Sequence, residues 1–115
     1  MIIHGHEPRL FESMLESVNA PDLVQGAKDA RTKGINLAGM CCLGAGMLSR
    51  PGIPYAGNFM SKEAVLITGA VDAMGVDVQC IKQGLGKVAE CYGTKLFSTN
   101  PRCRSAVIRT NNSIW

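Results

Sequence analysis

Apolar positions along this chain follow two rhythms: short continuous runs such as a strand buries on both faces, and longer stretches in which they recur every three or four residues. "MIIHG" (residues 1–5) opens as a strand that carries the chain to His4 and His6. "PRLFESMLESV" follows with Leu10, Met14, Leu15 and Val18 on one helical face, and Pro8 stands in the first turn, where a missing N–H does no harm. Pro21 starts a second helix over 21–34, expected to turn Leu23, Val24, Ala27 and Ala30 inward and to stop at Gly34. "INLAGMC" (35–41) reads as a strand, "AGMLSR" (45–50) as a short helix, and "PGIPYAGNF" as a loop with a short strand near 55–59. Ser61 supplies an N-cap for a helix over 62–74, and "GVDVQC" (75–80) is a strand ending on Cys80. "GLGKVAECYG" (84–93) is helical with Leu85, Val88, Ala89 and Tyr92 on its inner side, and "KLFST" (95–99) is a further strand. Alternation of strand and helix is the α/β signature. Residues 100–115 have weak periodicity, so the chain divides into one unit over 1–99 and a weakly structured tail.

Composition changes this picture little. Hydrophobic residues make up 46%, charged residues 18%, and the net charge is +3, which excludes disorder, a coiled coil and a nucleic-acid tract. No apolar run is long enough to span a bilayer, and "MIIHGHEPRL" lacks the basic and apolar regions of a signal peptide, so the expectation is a cytoplasmic chain. In that reducing compartment five cysteines, an odd number, read as thiols or metal ligands rather than bridges. Cys41 and Cys42 are adjacent and cannot reach good disulfide geometry with each other without backbone strain.

Placed on these elements, His4 and His6, Cys41 and Cys42, and Cys80 all fall at the carboxyl ends of strands, where the ligands of a doubly wound sheet gather. Thiolates with an imidazole suit zinc, nickel or iron–sulfur clusters. The ordinary reading of any one of them is packing, and Cys91, on the apolar side of its helix, is assigned to it, as Cys103 is assigned no role. Other chemistries have weaker signals. "GLGKVAE" lacks P-loop spacing, "LGAGML" lacks the third glycine of a dinucleotide fingerprint, and Lys82, Lys87 and Lys95 read as a solvated face. A nucleophilic Cys42 would need His4 or His6 as base and Glu7 or Asp77 to orient it.

"HGHEP", "KGINLAGMCC", "GIPYAGNFMSKEAVLITGAVDAMGVDVQC" and "VAECYGTKLFST", in this order, resemble the central part of the catalytic subunit of the nickel–iron carbon monoxide dehydrogenases, relatives of the hybrid-cluster proteins. The resemblance runs from about residue 4 to residue 99. It implies a Rossmann-like, mostly parallel sheet flanked by helices in three layers, contributing ligands to a nickel–iron–sulfur cluster. It further implies carbon monoxide and water as substrates, carbon dioxide as product, and two electrons passed through iron–sulfur clusters to a ferredoxin-type acceptor, with no nucleic acid and no membrane span involved. By motif, Cys42 and Cys80 match cluster ligands, and the histidine ligand falls in "HGH", at His6 or alternatively His4. Cys41 is expected to point back into its strand and pack, and Glu7 to accept a hydrogen bond from the second nitrogen of the ligating histidine.

The chain departs from the family pattern where "CCLGAG" stands for "CCTGNE", where "IKQGLGK" follows Cys80 in place of "IMPSL", and where Gly93 replaces a frequent histidine. The family's other cluster cysteines belong to domains before and after this one. Two thiolates and one imidazole are fewer protein ligands than a closed metal site normally has. Two expectations follow: part of a carbon monoxide dehydrogenase, inactive alone, with exposed apolar surface and a tendency to oligomerise where partner domains would dock; or a truncated, non-catalytic α/β module with no bound cluster.

Overall fold

The structure, a computed structural model, describes residues 1–46, 52–77, 82, 84–100 and 109–110. Six strands are placed: β1 (Ile2–His4), β2 (Ala38–Met40), β3 (Tyr55–Gly57), β4 (Ala73–Val76), β5 (Lys95–Ser98) and β6 (Arg109–Thr110). Five α-helices accompany them: α1 (Pro8–Val18), α2 (Pro21–Asp29), α3 (Cys41–Gly46), α4 (Lys62–Ile67) and α5 (Leu85–Cys91). All neighbouring strands are parallel, in the order β3-β2-β1-β4-β5-β6. This is the doubly wound arrangement, and the order reverses between β1 and β4. β6 lies in the segment whose periodicity predicts no element.

Side-chain alternation along β1 divides the core between the two faces of the sheet. Ile3 faces one way and packs with Phe11 of α1, Leu37 and Leu43 of α3. Ile2 faces the other way, with Met40, Met74, Val76, Leu96, Leu66 of α4, and Leu85 and Ala89 of α5. The expected three layers and parallel sheet are therefore present. Among the described residues no helix is long and apolar enough to cross a membrane.

Several boundaries differ from the sequence expectation, each for a local reason. α2 stops at Asp29 rather than near Gly34, because Arg31 takes the left-handed conformation (φ 57°) and closes a Schellman motif, Thr32 N–H to Ala27 O at 3.0 Å and Arg31 N–H to Lys28 O at 2.9 Å. Leu23 and Val24, expected inside, are 46% and 40% exposed. The helix after β2 begins at Cys41, four residues before the expected one, and residues 47–50 of that expectation lie outside the described residues. The helix expected over 62–74 ends at Ile67, where Thr68 turns its hydroxyl onto Val65 O (2.6 Å) and Gly69 adopts φ 70°. Ala73 and Met74 belong instead to β4. β2 ends at Met40 and so leaves Cys41 out of the strand, and β4 spans Ala73–Val76, earlier than expected; Cys80 lies outside the described residues. Ser61 makes no side-chain cap to α4. It serves a capping box with Asn58 one turn earlier, over the 3₁₀ turn Phe59–Ser61. Cys91 and Tyr92, both assigned to the inner face of α5, are exposed, while Leu85 and Ala89 are buried.

Candidate metal centre

β1 and β4 are neighbours at the point where strand order reverses, and ligands of open α/β sheets gather beyond the carboxyl ends of the strands at such a point. Three elements meet there. Asp77, the residue after β4, donates its N–H to His4 O at 3.0 Å, which continues the ladder past the end of the strands. The N–H of Leu43, in the first turn of α3, donates to Gly5 O at 2.8 Å. That bond brings Cys42, next to Leu43 in the chain, to the loop that carries His6, although 36 residues of sequence separate the two.

His6 is exposed, and its loop is held by one carboxylate. Asp77 Oδ2 accepts from the N–H groups of His6 (3.3 Å) and Glu7 (3.2 Å) and lies 3.1 Å from His6 Nδ1. Asp77 itself is buried. Glu7, expected to hold the histidine, instead caps α1 by accepting from Arg9 N–H at 3.3 Å. The carboxylate that meets the ring comes from the neighbouring strand, 71 residues away.

This contact requires a glycine at position 5. A Cβ there would overlap the Cβ of Asp77 and stand 3.2 Å from its Oδ2. Gly5→Ala should therefore destabilise the chain by about 2 kcal/mol through overpacking, and free the His6 loop, since Asp77 must withdraw. Urea unfolding of the two chains measures the first effect; the second appears as loss of the His6 and Glu7 amide protection in hydrogen exchange.

Cys42 is exposed, and Cys41 is half-buried against the sheet core. Cys41 does pack, as expected, but not through strand alternation: it opens α3 with a left-handed backbone (φ 63°), which turns the two side chains apart from a strand geometry and leaves their sulfurs 4.0 Å apart. The hydrogen-bonded Cys41 thiol, its charge and some desolvation push the Cys42 thiol up. A bound metal would have to deprotonate this thiol.

His4, the alternative to His6, occupies a different environment. It is fully buried on the opposite side of β1 from Ile3, its ring 6.3 Å from that of Phe59, and both ring nitrogens lack a hydrogen-bond partner. Burial, and next the Lys62 ammonium, lower its pKa to about 4. Lys62, also fully buried, sets its Nζ 3.8 Å from the centroid of Phe59. Lys82 approaches the same ring at 4.8 Å and pairs with Glu63 at 3.6 Å, so it is not part of a freely solvated basic face. No sequence signal identifies Lys62 as buried, because a lysine in the first turn of an amphipathic helix normally reads as surface.

His6 and Cys42 thus share one edge of the sheet, while Cys80 and Cys103 lie outside the described residues. Among the described residues no three His, Cys, Asp or Glu side chains group closely enough to hold a metal ion. An exposed imidazole with one nitrogen against a carboxylate, and an exposed thiol on the same edge of the sheet, have donor types that suit nickel or an iron–sulfur site, and a centre here needs further donors.

Comparison with known proteins gives a consistent result. Residues 1–112 match the model of the Prismane/CO dehydrogenase family. The chain is 50% identical over 102 residues to carbon monoxide dehydrogenase 1 of Methanosarcina mazei, covering 89% of this chain and 16% of that protein. It is 47% identical over 98 residues to the carbon monoxide dehydrogenase/acetyl-CoA synthase subunit beta of Moorella thermoacetica, covering 85% of this chain and 14% of that one. Among solved structures it is similar to carbon monoxide dehydrogenase IV from Carboxydothermus hydrogenoformans, with a TM-score of 0.84 and 47% identity over 95% of this chain and 17% of the other. The chain therefore spans about a sixth of the length of the relatives it matches.

Proposed function

Since the chain belongs to the Prismane/CO dehydrogenase family, we propose that it is the central α/β portion of a carbon monoxide dehydrogenase, and that His6, Cys42 and Cys80 are its ligands to a nickel–iron–sulfur cluster. The observation that carries this reading is the Leu43 N–H to Gly5 O hydrogen bond (2.8 Å), which joins the "HGH" loop to the cysteine pair at the switch point of the sheet. His6 is favoured over His4 on electrostatic grounds. A cation is disfavoured beside His4, where the Lys62 ammonium already acts on the ring, whereas His6 stands against the Asp77 carboxylate.

Such a cluster supplies a Lewis-acid site for carbon monoxide and water and accepts the two electrons released on forming carbon dioxide. The chain's own part is to hold it: the His6 imidazole is anchored by Asp77, and Cys42 is presented from the first turn of α3, whose position is set by β1. The remaining ligands, and the relay to a ferredoxin-type acceptor, come from parts of a family subunit beyond this span. Exposed Leu23 and Val24 on α2 offer apolar surface against which those parts would pack.

Anaerobic reconstitution of the full chain with iron, sulfide and nickel tests the assignment. The unsubstituted chain should retain iron and show a broad sulfide-to-iron charge-transfer band, and Cys42→Ser, Cys80→Ser together should abolish both. His6→Gln should lower nickel and iron content, whereas His4→Leu should leave them unchanged. Equal, negligible iron in the unsubstituted chain and the double variant would mean that the family's fold persists here without its cluster.

A further inference from the structure

We infer that Asp77 is a positioning residue that fixes the tautomer of His6, holding the proton on Nδ1 and leaving Nε2 as the nitrogen available to a metal. The inference rests on the reading of His6 as a ligand, and its physical basis is a count of donors and acceptors. Nδ1 of the ring lies 3.1 Å from Asp77 Oδ2, where a lone pair on Nδ1 would be repelled by the carboxylate and an N–H attracted to it, so a neutral ring carries its proton on Nδ1. The lone pair then belongs to Nε2. Which ring nitrogen of a histidine takes a metal is decided by the hydrogen bond the other one makes.

Asp77 is suited to hold that choice rigidly. Its own N–H is bonded to His4 O at 3.0 Å, so its backbone is an extension of the β1–β4 ladder. Its side chain is only 7% exposed, which keeps water from competing for the oxygen. The same Oδ2 accepts the main-chain N–H groups of His6 (3.3 Å) and Glu7 (3.2 Å), so ring and backbone of the histidine are fixed from one atom. Gly5 keeps the intervening space free of a side chain. His6 is thereby delivered with one nitrogen committed to the protein and the other facing away from the carboxylate, before any metal arrives.

Long-range proton–nitrogen NMR correlation on the full ¹⁵N-labelled chain, without metal and at a pH where the ring is neutral, reads the tautomer directly. The chain has two histidines, so His6→Gln assigns the signals. The unsubstituted chain should show His6 protonated at Nδ1. Asp77→Ala should transfer the proton to Nε2, and Asp77→Asn, whose amide oxygen can still accept, should retain most of the original form. Protonation at Nε2 in the unsubstituted chain would overturn the inference, as would an unchanged tautomer in Asp77→Ala with the fold intact by circular dichroism.

Titration with Ni²⁺ alone separates this inference from the ligand assignment it rests on. Asp77→Ala should bind Ni²⁺ 10- to 100-fold more weakly than the unsubstituted chain, with Asp77→Asn between them. If His6→Gln binds Ni²⁺ as tightly as the unsubstituted chain, the ligand assignment fails and the metal role of Asp77 with it, whatever the tautomer. If the tautomer result fails while His6→Gln abolishes binding, the ligand assignment stands and Asp77 has no part in orienting it.

Discussion

Gly44→Ala should destabilise the chain by about 3 kcal/mol, the upper end of what overpacking costs, because the groups that would have to move are mostly main chain. A Cβ at position 44 would stand 2.6 Å from both the carbonyl carbon and the oxygen of Gly39 and 2.6 Å from Cδ2 of Tyr55. Gly39 lies in β2, paired with Ile3 on one side and Tyr55 on the other, so it cannot retreat without breaking the sheet at its β2 register. α3 must instead lift away, and with it the Leu43 N–H that bonds Gly5 O and the Cys42 thiol beside it. In a domain of this size the loss corresponds to a fall in Tm of roughly 15 °C. Gly46→Ala is the matched control: it is in the same helix, and a Cβ there meets nothing within 4 Å. It should leave Tm unchanged or raise it slightly, by restricting the unfolded chain. Equal Tm values for the two variants would mean that α3 is not wedged against β2.

The second large effect is a loss of stability in mild acid that belongs to His4. Its pKa is about 4 in the folded chain against the ordinary histidine value of 6.5, so the unfolded chain binds the extra proton between those limits. Stability therefore rises with pH in that window. The contribution is complete above about pH 6.5 and is lost as pH falls toward 4, at a maximal slope of about 1.4 kcal/mol per pH unit and on the order of 3 kcal/mol in total. Burial is the principal cause, since a protonated ring at this position has no water. Lys62 adds repulsion, and Glu63 opposes it weakly. Urea unfolding at pH 7 and at pH 4.5 measures the loss, and His4→Leu should remove this window while leaving the carboxylate-dependent loss at lower pH. At pH 7 the leucine should be neutral or stabilising, because it removes two buried nitrogens with no partner. An unchanged difference between pH 7 and pH 4.5 in His4→Leu would assign the acid sensitivity elsewhere.

Both effects come from parts of the molecule that the amino-acid pattern describes unequally. α1 is legible in its bounds, since Pro8 sets its start, and the expected Met14, Leu15 and Val18 do pack against the Ile3 cluster, but its one buried side chain, Phe11, is not among the inner positions expected. β1 and β5 are legible because short apolar runs between turn residues have few other uses. The segment after Ile67 is not: its alternating small and apolar residues suit either a helix or a strand, and pairing of Met74 and Val76 with β1 and β5 decides for the strand. α2 misleads in another way, since an apolar face at helical spacing says that something should cover it without saying what.

The sequence by itself determined the α/β class, the family, and the placing of His6 after β1 and Cys42 after β2, because each depends on spacing within a short segment or on motifs shared with relatives. Only the tertiary structure decided which carboxylate meets His6. Glu7 is adjacent in the chain, but it is spent on capping α1, whereas Asp77 arrives from β4 because the strand order sets β4 beside β1. It also separated two histidines that are two residues apart, burying His4 beside Lys62 and exposing His6 beside Asp77. Local spacing limits what a segment can become. Which side chains meet is set by strand order and register, and those follow from packing summed over the whole sheet.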